Sequence, residues 1–301
     1  MLQTKKSLLL FVVCALLSGT ANRTFAQGLT VEKIAVKDAQ ETELSKKLSA
    51  LDGVKEVVRI KNDVPQFTEK YAVKINQLIN PKNPSTGTFD QQIYVCHVGY
   101  DAPTIIVTDG YTAGFAMNPR YSEELSKRYK ANIVAIQHRY FEQSTPVPTD
   151  WQYMRGKYAA HDMHVITNTM KQLYKGKFVA SGVSKGGQNT MIYATYYPND
   201  MDFFVPYVGP VCFDVEDGRH EGFLAQIGPK EDRERILSFQ KEVLKRRDKM
   251  TAMIAKDAKE NGVIYKEGVT MNEILDMCVL EYPFALWQMG CEHPMRRSSN
   301  T

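Results

Sequence analysis

The chain has 301 residues and a mass of 34.2 kDa, and its 43% hydrophobic and 24% charged residues are typical of globular proteins, not of disordered or collagen-like chains. Its formal net charge is +4, but residues 1–26 hold three basic and no acidic residues, so the remainder carries only +1. This near balance gives no reason to expect a nucleic-acid partner, since such proteins usually concentrate Lys and Arg on one surface.

The first 26 residues have the three parts of a secretory signal peptide. Lys5 and Lys6 precede an apolar run over Leu8–Leu17, and residues 24–26 (Thr-Phe-Ala) form a small-x-small cleavage site. The run is too short to cross a bilayer, which takes roughly 20 apolar residues. We predict cleavage before Gln27 and export, without a membrane anchor, to the periplasm or the medium.

Four cysteines remain after this cleavage, and export would allow them to form disulfides. They are Cys96, Cys212, Cys278 and Cys291. Four cysteines allow three pairings, among which the sequence does not choose, and buried free thiols stay an alternative.

Seven runs of the sequence predict β-strands. They are Val54–Ile60, Glu69–Ile79, Gln91–Val98, Pro103–Thr108, Asn132–Gln137, Lys177–Val183 and Phe203–Val211. The last four are short, apolar runs, as strands buried on both faces are.

Helical patterns alternate with the later strands. Asn118-Pro119 predicts a helix start, with Asn as the N-cap and Pro at the first helical position. Helices are also predicted over residues 157–174, over Gly186–Tyr197 and through the charged stretch Val215–Ala258, after which no β-rich run precedes Thr301. Strands alternating with helices indicate a parallel sheet with helices on both faces.

The strongest chemical motif is the G-x-S-x-G at residues 182–186, centred on Ser184. An apolar strand leads into the serine and a helix leaves it, which is the context of a nucleophile elbow. We therefore predict Ser184 as a catalytic nucleophile. The alternative is an ordinary glycine-rich turn between a strand and a helix.

The same context predicts where an oxyanion would be stabilised. The backbone amide of Lys185 lies at the N-terminus of the following helix, which favours negative charge. A second donor is expected from the loop at residues 109–114, which follows an earlier strand, with Tyr111 as the candidate.

A serine nucleophile also needs a base and an orienting acid, which in this fold follow it in the order acid, then His. The histidines after Ser184 are His220 and His293, and neither is preceded by a further strand. Asp214 follows a strand and is a possible acid, although a turn residue is the simpler interpretation. The sequence therefore predicts the nucleophile without a convincing base.

No cofactor or metal is predicted. His161 and His164 share a helix face, but neither an H-E-x-x-H motif nor a third ligand of suitable spacing accompanies them. We expect hydrogen bonds from residues 161–164 to neighbouring loops instead. Phosphate-binding and dinucleotide-binding glycine motifs do not occur in the sequence.

Several segments together carry a more specific pattern. They are Thr86–Gln91, Gln137–Pro146 (Q-H-R-Y-F-E-Q-S-T-P), Ala159–His164 (A-A-H-D-M-H), Ser181–Gly187 (S-G-V-S-K-G-G), Tyr197–Asp202 and Tyr207–Pro210. In combination they resemble the secreted bacterial tripeptidyl aminopeptidases, serine peptidases related to lysosomal Pro-X carboxypeptidase and dipeptidyl peptidase II. The resemblance covers about residues 65–290.

This resemblance implies an α/β-hydrolase core with a helical lid inserted after the sixth strand. It implies a serine exopeptidase that forms an acyl-enzyme and acts on peptides with a free amino terminus, often after proline. Gln137 departs from the family, which has Glu before His-Arg. If that carboxylate helps to hold the substrate ammonium, its charge is missing here.

The resemblance and the strand count together give the predicted domain organisation. We expect a signal peptide at 1–26, the N-terminal part of the hydrolase core at 27–214 and a helical lid at 215–301. In the family the acid and the histidine come after the lid. We therefore expect a C-terminally truncated chain that lacks the last strands of the core and is inactive by itself.

Two other classes stay open on the sequence. A secreted lipase or esterase would use the same elbow, and a non-catalytic binding protein could retain the hydrolase scaffold. Activity on short acyl esters but not on tripeptide amides would identify the esterase. The oligomeric state is not indicated by the sequence.

Overall fold

A computed structural model describes residues 30–37, 39–214, 217–263, 265 and 268–288. Internal contacts divide the chain into two units, a core that ends at Val211 and a helical unit that starts at Cys212. The predicted signal peptide lies outside the described residues. Within the described residues, no helix combines the length and apolarity that a membrane span needs.

The core is built on one seven-stranded sheet. Its strands are β1 (Val54–Arg59), β2 (Glu69–Leu78), β3 (Thr88–His97), β4 (Thr104–Thr108), β5 (Asn132–Ile136), β6 (Phe178–Val183) and β7 (Phe203–Tyr207). All seven predicted strands are confirmed. The last ends at Tyr207, earlier than the predicted Val211.

The sheet is half antiparallel and half parallel. Its order is β1-β2-β3-β5-β4-β6-β7, and the first three of these pairings are antiparallel while the last three are parallel. The parallel half comprises the four strands that are joined through helices, as crossover connections require. The predicted α/β-hydrolase core is confirmed, with an antiparallel extension at one side of the sheet.

Helices cover the core sheet on both faces. They are α1 (Val31–Ile34), α2 (Glu43–Ser49), α3 (Glu124–Tyr129), α4 (Gly156–Leu173) and α5 (Lys185–Tyr196). Because successive residues of a strand point to opposite faces, Ile106 packs with Met170 of α4, whereas Ile105 and Val107 pack on the face that Leu125 of α3 covers.

The prediction that a helix starts at Asn118-Pro119 is wrong. Asn118 instead closes a turn, because its side-chain oxygen accepts a hydrogen bond from the Arg120 amide at 2.9 Å and its carbonyl accepts one from the Tyr121 amide. Asn side chains often favour such local bonds over helix. The helix therefore begins only at Glu124.

The helical unit contains four described helices. They are α6 (Arg219–Gln226), α7 (Lys230–Lys245), α8 (Arg247–Glu260) and α9 (Met271–Gln288). Their small core includes Ile254, Leu275 and Cys278. The helical character predicted for Val215–Ala258 is confirmed over the described residues 219–258, where three helices share the stretch. Its assignment as a lid stays a prediction.

One buried ion pair connects four segments of the core. The guanidinium of Arg139 binds both carboxylate oxygens of Asp162 on α4, at 2.6 and 2.7 Å, and both side chains are almost completely buried. Its remaining N–H groups donate to the carbonyls of Leu78, Ile79 and Tyr153 at 3.0–3.1 Å. All five donors of the guanidinium are thus used.

We predict that Asp162→Ala lowers the free energy of unfolding by about 3–5 kcal/mol, because it leaves the buried Arg139 charge without its partner. Urea denaturation measures this loss. Lys177→Ala is the matched control, since its ion pair with Asp202 is on the surface, and it should cost no more than about 1 kcal/mol. Equal losses for the two variants would contradict the assigned role of the buried pair.

Candidate active site

The carboxyl ends of the four parallel strands meet at one edge of the sheet, where ligands of open α/β sheets usually bind. Asp109 follows β4, His138 lies just after β5, Ser184 follows β6 and Val208 follows β7. The sequence predicted Ser184, the Lys185 amide and the loop at residues 109–114 as parts of the site, but it gave no indication of His138.

Ser184 occupies a sharp bend between β6 and α5. Its backbone has φ 56° and ψ −120°, a conformation that non-glycine residues rarely adopt, and the residue is exposed. Its amide donates to the carbonyl of Tyr207 at 3.0 Å, and α5 begins at the next residue. This is the geometry of a nucleophile elbow, which displays the serine hydroxyl above the sheet.

Two glycines make the bend possible. A Cβ added to Gly182 would lie 2.5 Å from backbone atoms of Gly186 and 2.7 Å from the carbonyl oxygen of Thr108. A Cβ added to Gly186 would lie 2.6 Å from the same oxygen. Because every one of these neighbours is backbone, no side-chain rotation could relieve the contact.

Side chains then fix the bend to the end of β4. The hydroxyl of Thr108 donates to the carbonyl of Gly186 at 3.0 Å and lies 2.6 Å from the hydroxyl of Thr190 on α5. The side-chain amide of Asn189 donates to the backbone carbonyl of Asp109 at 2.9 Å. The elbow and the loop after β4 therefore form one rigid assembly, and the sequence did not reveal the roles of Thr108 and Asn189.

The two predicted oxyanion donors differ in their surroundings. The amide of Lys185 starts α5, whose N-terminus favours an anion. The amide of Tyr111 instead donates to the side-chain oxygen Oδ1 of Asp109 at 2.7 Å. The role of both amides stays a prediction, and Tyr111 could serve an oxyanion only after leaving Asp109.

Asp109 is unusual for a carboxylate at this edge. Burial raises the pKa of its side chain to about 6, although hydrogen bonds from the Tyr111 and Gly110 amides and the charge of Lys185 lower it. Such a shift is frequent at functional sites. The group is ionised at neutral pH and can then hold the Tyr111 amide by a charge-assisted bond.

The side chain of Lys185 extends away from the elbow across the loop after β4. Its stem passes so close to Gly110 that a Cβ there would lie 2.5 Å from the Lys185 Cγ. Its ammonium nitrogen lies 4.5 Å from the ring centre of Tyr111 and 5.2 Å from that of Phe141, within the range of cation–π contacts. The two rings contact each other edge to face.

Phe141 is carried by a loop after β5 that contains two strained residues, Tyr140 (φ 69°) and Glu142 (φ 47°). Gln137 holds this loop from within. Its side-chain amide donates to the Phe141 carbonyl at 2.9 Å and to the Ser144 hydroxyl at 3.1 Å, and the residue has no exposed surface. Gln137 therefore supports the loop, and its side chain does not face a ligand.

The histidines do not complete a triad within the described core. His97 bonds to Tyr174, His164 bonds to Asp200, and His138 bonds through Nδ1 to the Arg139 carbonyl. His161 contacts the rings of His164 and Tyr197, and its Nδ1 has no hydrogen-bond partner among the described residues. Burial lowers the pKa of His138 to about 4, so it is neutral at neutral pH. Among the described core residues, neither an imidazole nor a carboxylate forms a hydrogen bond with the Ser184 hydroxyl.

Whether His220 or His293, the two histidines that follow Ser184, acts as the base is not tested by the structure of the core. His220 lies on α6, where its ring contacts Phe284 edge to face. His293 lies outside the described residues. Asp214 has interaction partners and is not an unpaired acid.

The hydrogen bonds predicted for residues 161–164 are confirmed for Asp162 and His164, but His161 Nδ1 is buried without a partner among the described residues. Asp162 binds Arg139, and His164 Nδ1 lies 2.6 Å from an oxygen of Asp200, with its ring stacked on Tyr197. In the part of the chain that the structure describes, no group of three or more metal-ligating side chains is clustered.

Three cysteines are described, and each carries a free thiol. They are Cys96, Cys212 and Cys278. Cys291 lies outside the described residues.

Comparison with known sequences places these features in a wider context. A sequence model of the PS-10 peptidase S37 family matches residues 44–293. A prolyl tri/tetrapeptidyl aminopeptidase from Streptomyces mobaraensis is 32% identical over 263 residues, which are 87% of this chain and 54% of that protein. The chain thus spans about half the length of this relative.

Similarity to solved structures is much weaker. An acetyl xylan esterase from Paenibacillus sp. R4 has 16% identity and a TM-score of 0.38, with 66% of this chain and 68% of that chain covered. The α/β hydrolase GrgF from Penicillium sp. sh18 has 14% identity and a TM-score of 0.36, with 73% and 67% covered. The fold assignment rests on the strand order and the elbow instead.

We predict that Gly182→Ala destabilises the core by about 1–3 kcal/mol or more, because its methyl group would collide with backbone on two sides. The unfolding free energy in urea measures the effect. Gly99→Ala is the control, since no atom lies within 4 Å of the Cβ position there. A Gly182→Ala variant as stable as the Gly99→Ala variant would contradict the proposed close packing.

Proposed function

The chain belongs to the PS-10 peptidase S37 family, and on that basis we propose that it carries the nucleophile of a serine exopeptidase. Ser184 attacks the carbonyl carbon of a peptide bond near the amino terminus of a substrate, and the bond to the leaving amine then breaks. The resulting acyl-enzyme is hydrolysed by water. The observation that supports this most directly is the exposed serine in a positive-φ bend at the start of α5.

The arrangement supports nucleophilic attack in two ways. The N-terminus of α5 stabilises the negative charge that develops on the carbonyl oxygen, which is the usual role of such amides. The close packing of the elbow on β4 holds the Ser184 hydroxyl at the surface, so the serine needs little rearrangement before attack.

The substrate assignment follows the relatives. We propose peptides with a free amino terminus, cleaved a few residues from it and preferentially after proline, because the S. mobaraensis relative is a prolyl tri/tetrapeptidyl aminopeptidase. Gln137 is buried, so we propose that another residue recognises the substrate ammonium.

We also propose that the chain is inactive without a further histidine and acid. This follows from the described core, where the Ser184 hydroxyl lacks an imidazole partner, and a serine without a base is a weak nucleophile. An esterase using the same elbow is less well supported, because the sequence match is to a peptidase family.

Labelling with a fluorophosphonate tests the nucleophile and the missing base together. We expect slow phosphonylation of Ser184, detected by peptide mass spectrometry, and clear acceleration by added imidazole, which can supply the base. Ser184→Ala should remove the labelled peptide. Absence of labelling even with imidazole would contradict the nucleophile, and rapid labelling without imidazole would contradict the missing base.

A comparison of substrates then distinguishes a peptidase from an esterase. With imidazole present, the chain should hydrolyse a tripeptide anilide that ends in proline, Ala-Ala-Pro-anilide, to the tripeptide and aniline, and Ser184→Ala should not. Hydrolysis of short acyl esters without any cleavage of the anilide would favour the esterase instead.

We further propose that the protein is exported, from the signal-peptide pattern of residues 1–26. Expression in a bacterial host should yield a mature chain whose first residue is Gln27, as read by N-terminal sequencing. Retention of Met1 on protein purified from the cytoplasm of a host with an intact export system would contradict export.

A further inference from the structure

The ammonium group of Lys185 has no hydrogen-bond acceptor among the described core residues, and no carboxylate of the core lies within ion-pair distance of it. It lies over the rings of Tyr111 and Phe141. A lysine ammonium has three donors, and this one is half-buried. Its N–H groups can therefore donate to a ligand bound at the carboxyl edge of the sheet.

This cation is also held in place. The stem of Lys185 crosses Gly110 in direct contact, and the two aromatic rings lie beside the charged end. The loops that carry Tyr111 and Phe141 follow β4 and β5, so the ammonium lies at the same edge of the sheet as Ser184. The packing that positions Ser184 therefore also fixes where the Lys185 ammonium lies.

Asp109 acts on the ammonium through its negative charge, but no hydrogen bond or ion-pair contact joins these two described side chains. Burial lowers the pKa of Lys185, while the negative charge of Asp109 raises it. Asp109 itself accepts a hydrogen bond from the Tyr111 amide at 2.7 Å. A half-buried cation that has lost part of its hydration gains most from an anionic ligand.

We propose that the Lys185 ammonium binds a carboxylate of the substrate beside Ser184, so that Lys185 determines specificity. The fitting substrates are short peptides with a carboxylate close to the scissile bond, either the free C-terminus or the side chain of an acidic residue. This inference rests on the proposed function, because it places a peptide at Ser184.

Peptide binding to the full chain carrying Ser184→Ala tests the proposal without any need for turnover. The probes are Ala-Ala-Pro-Ala with a free carboxylate, the same peptide as its C-terminal amide, and Ala-Ala-Pro-Asp-amide. Calorimetry should show the first binding at least about tenfold more tightly than the second, as expected for a charge-assisted hydrogen bond. The third distinguishes a side-chain carboxylate from a terminal one.

Substitution of Lys185 then isolates the ammonium. Lys185→Met should remove the preference for the free carboxylate, and Lys185→Arg should retain it. Lys82→Met, at an exposed turn, is the control and should bind like the parent. The melting temperature and the affinity for the carboxamide peptide show whether Lys185→Met has kept its fold.

Equal binding of acid and amide by the parent would overturn the proposal, as would a preference that survives in folded Lys185→Met. Absence of binding by all three peptides would overturn it too. Failure here is distinguishable from failure of the proposed function, because Ser184 labelling by a neutral fluorophosphonate on the unsubstituted chain does not require a carboxylate site.

Discussion

The site depends on one close backbone approach, where the turn from β6 into α5 packs against the end of β4. Gly182 and Gly186 leave no room for a methyl group beside the Thr108 carbonyl. This approach sets the direction of α5 and brings the Lys185 stem across Gly110. The exposure of Ser184, the direction of the helix N-terminus and the place of the Lys185 ammonium are therefore consequences of the same packing.

A second constraint holds the opposite wall of the site. Arg139 uses all its donors on Asp162 and on backbone carbonyls, and so anchors the loop that carries Phe141. Gln137 fixes the same loop from its other side. These groups are fully buried, yet they place the ring of Phe141 next to Lys185. The A-A-x-D segment of the sequence thus has a structural explanation.

The strands and the elbow could be predicted from the sequence because their signals are local. Short β-branched runs indicate buried strands, and G-x-S-x-G after such a run indicates the elbow. The roles of Arg139 and Gln137 could not be predicted, because their partners are distant in sequence. The start of α3 was missed because the Asn118 side chain closes a turn instead of capping a helix. The bond of Asp109 to the Tyr111 amide likewise depends on a loop conformation that no motif specifies.

A crystal structure of the phosphonylated chain would test the central claim, that Ser184 is an elbow nucleophile with an anion-stabilising helix N-terminus. We expect a covalent bond from the Ser184 Oγ to phosphorus. A phosphonyl oxygen should lie about 2.7–3.1 Å from the Lys185 amide nitrogen. Phosphorus on any other side chain, or a phosphonyl group directed away from the start of α5, would contradict this claim.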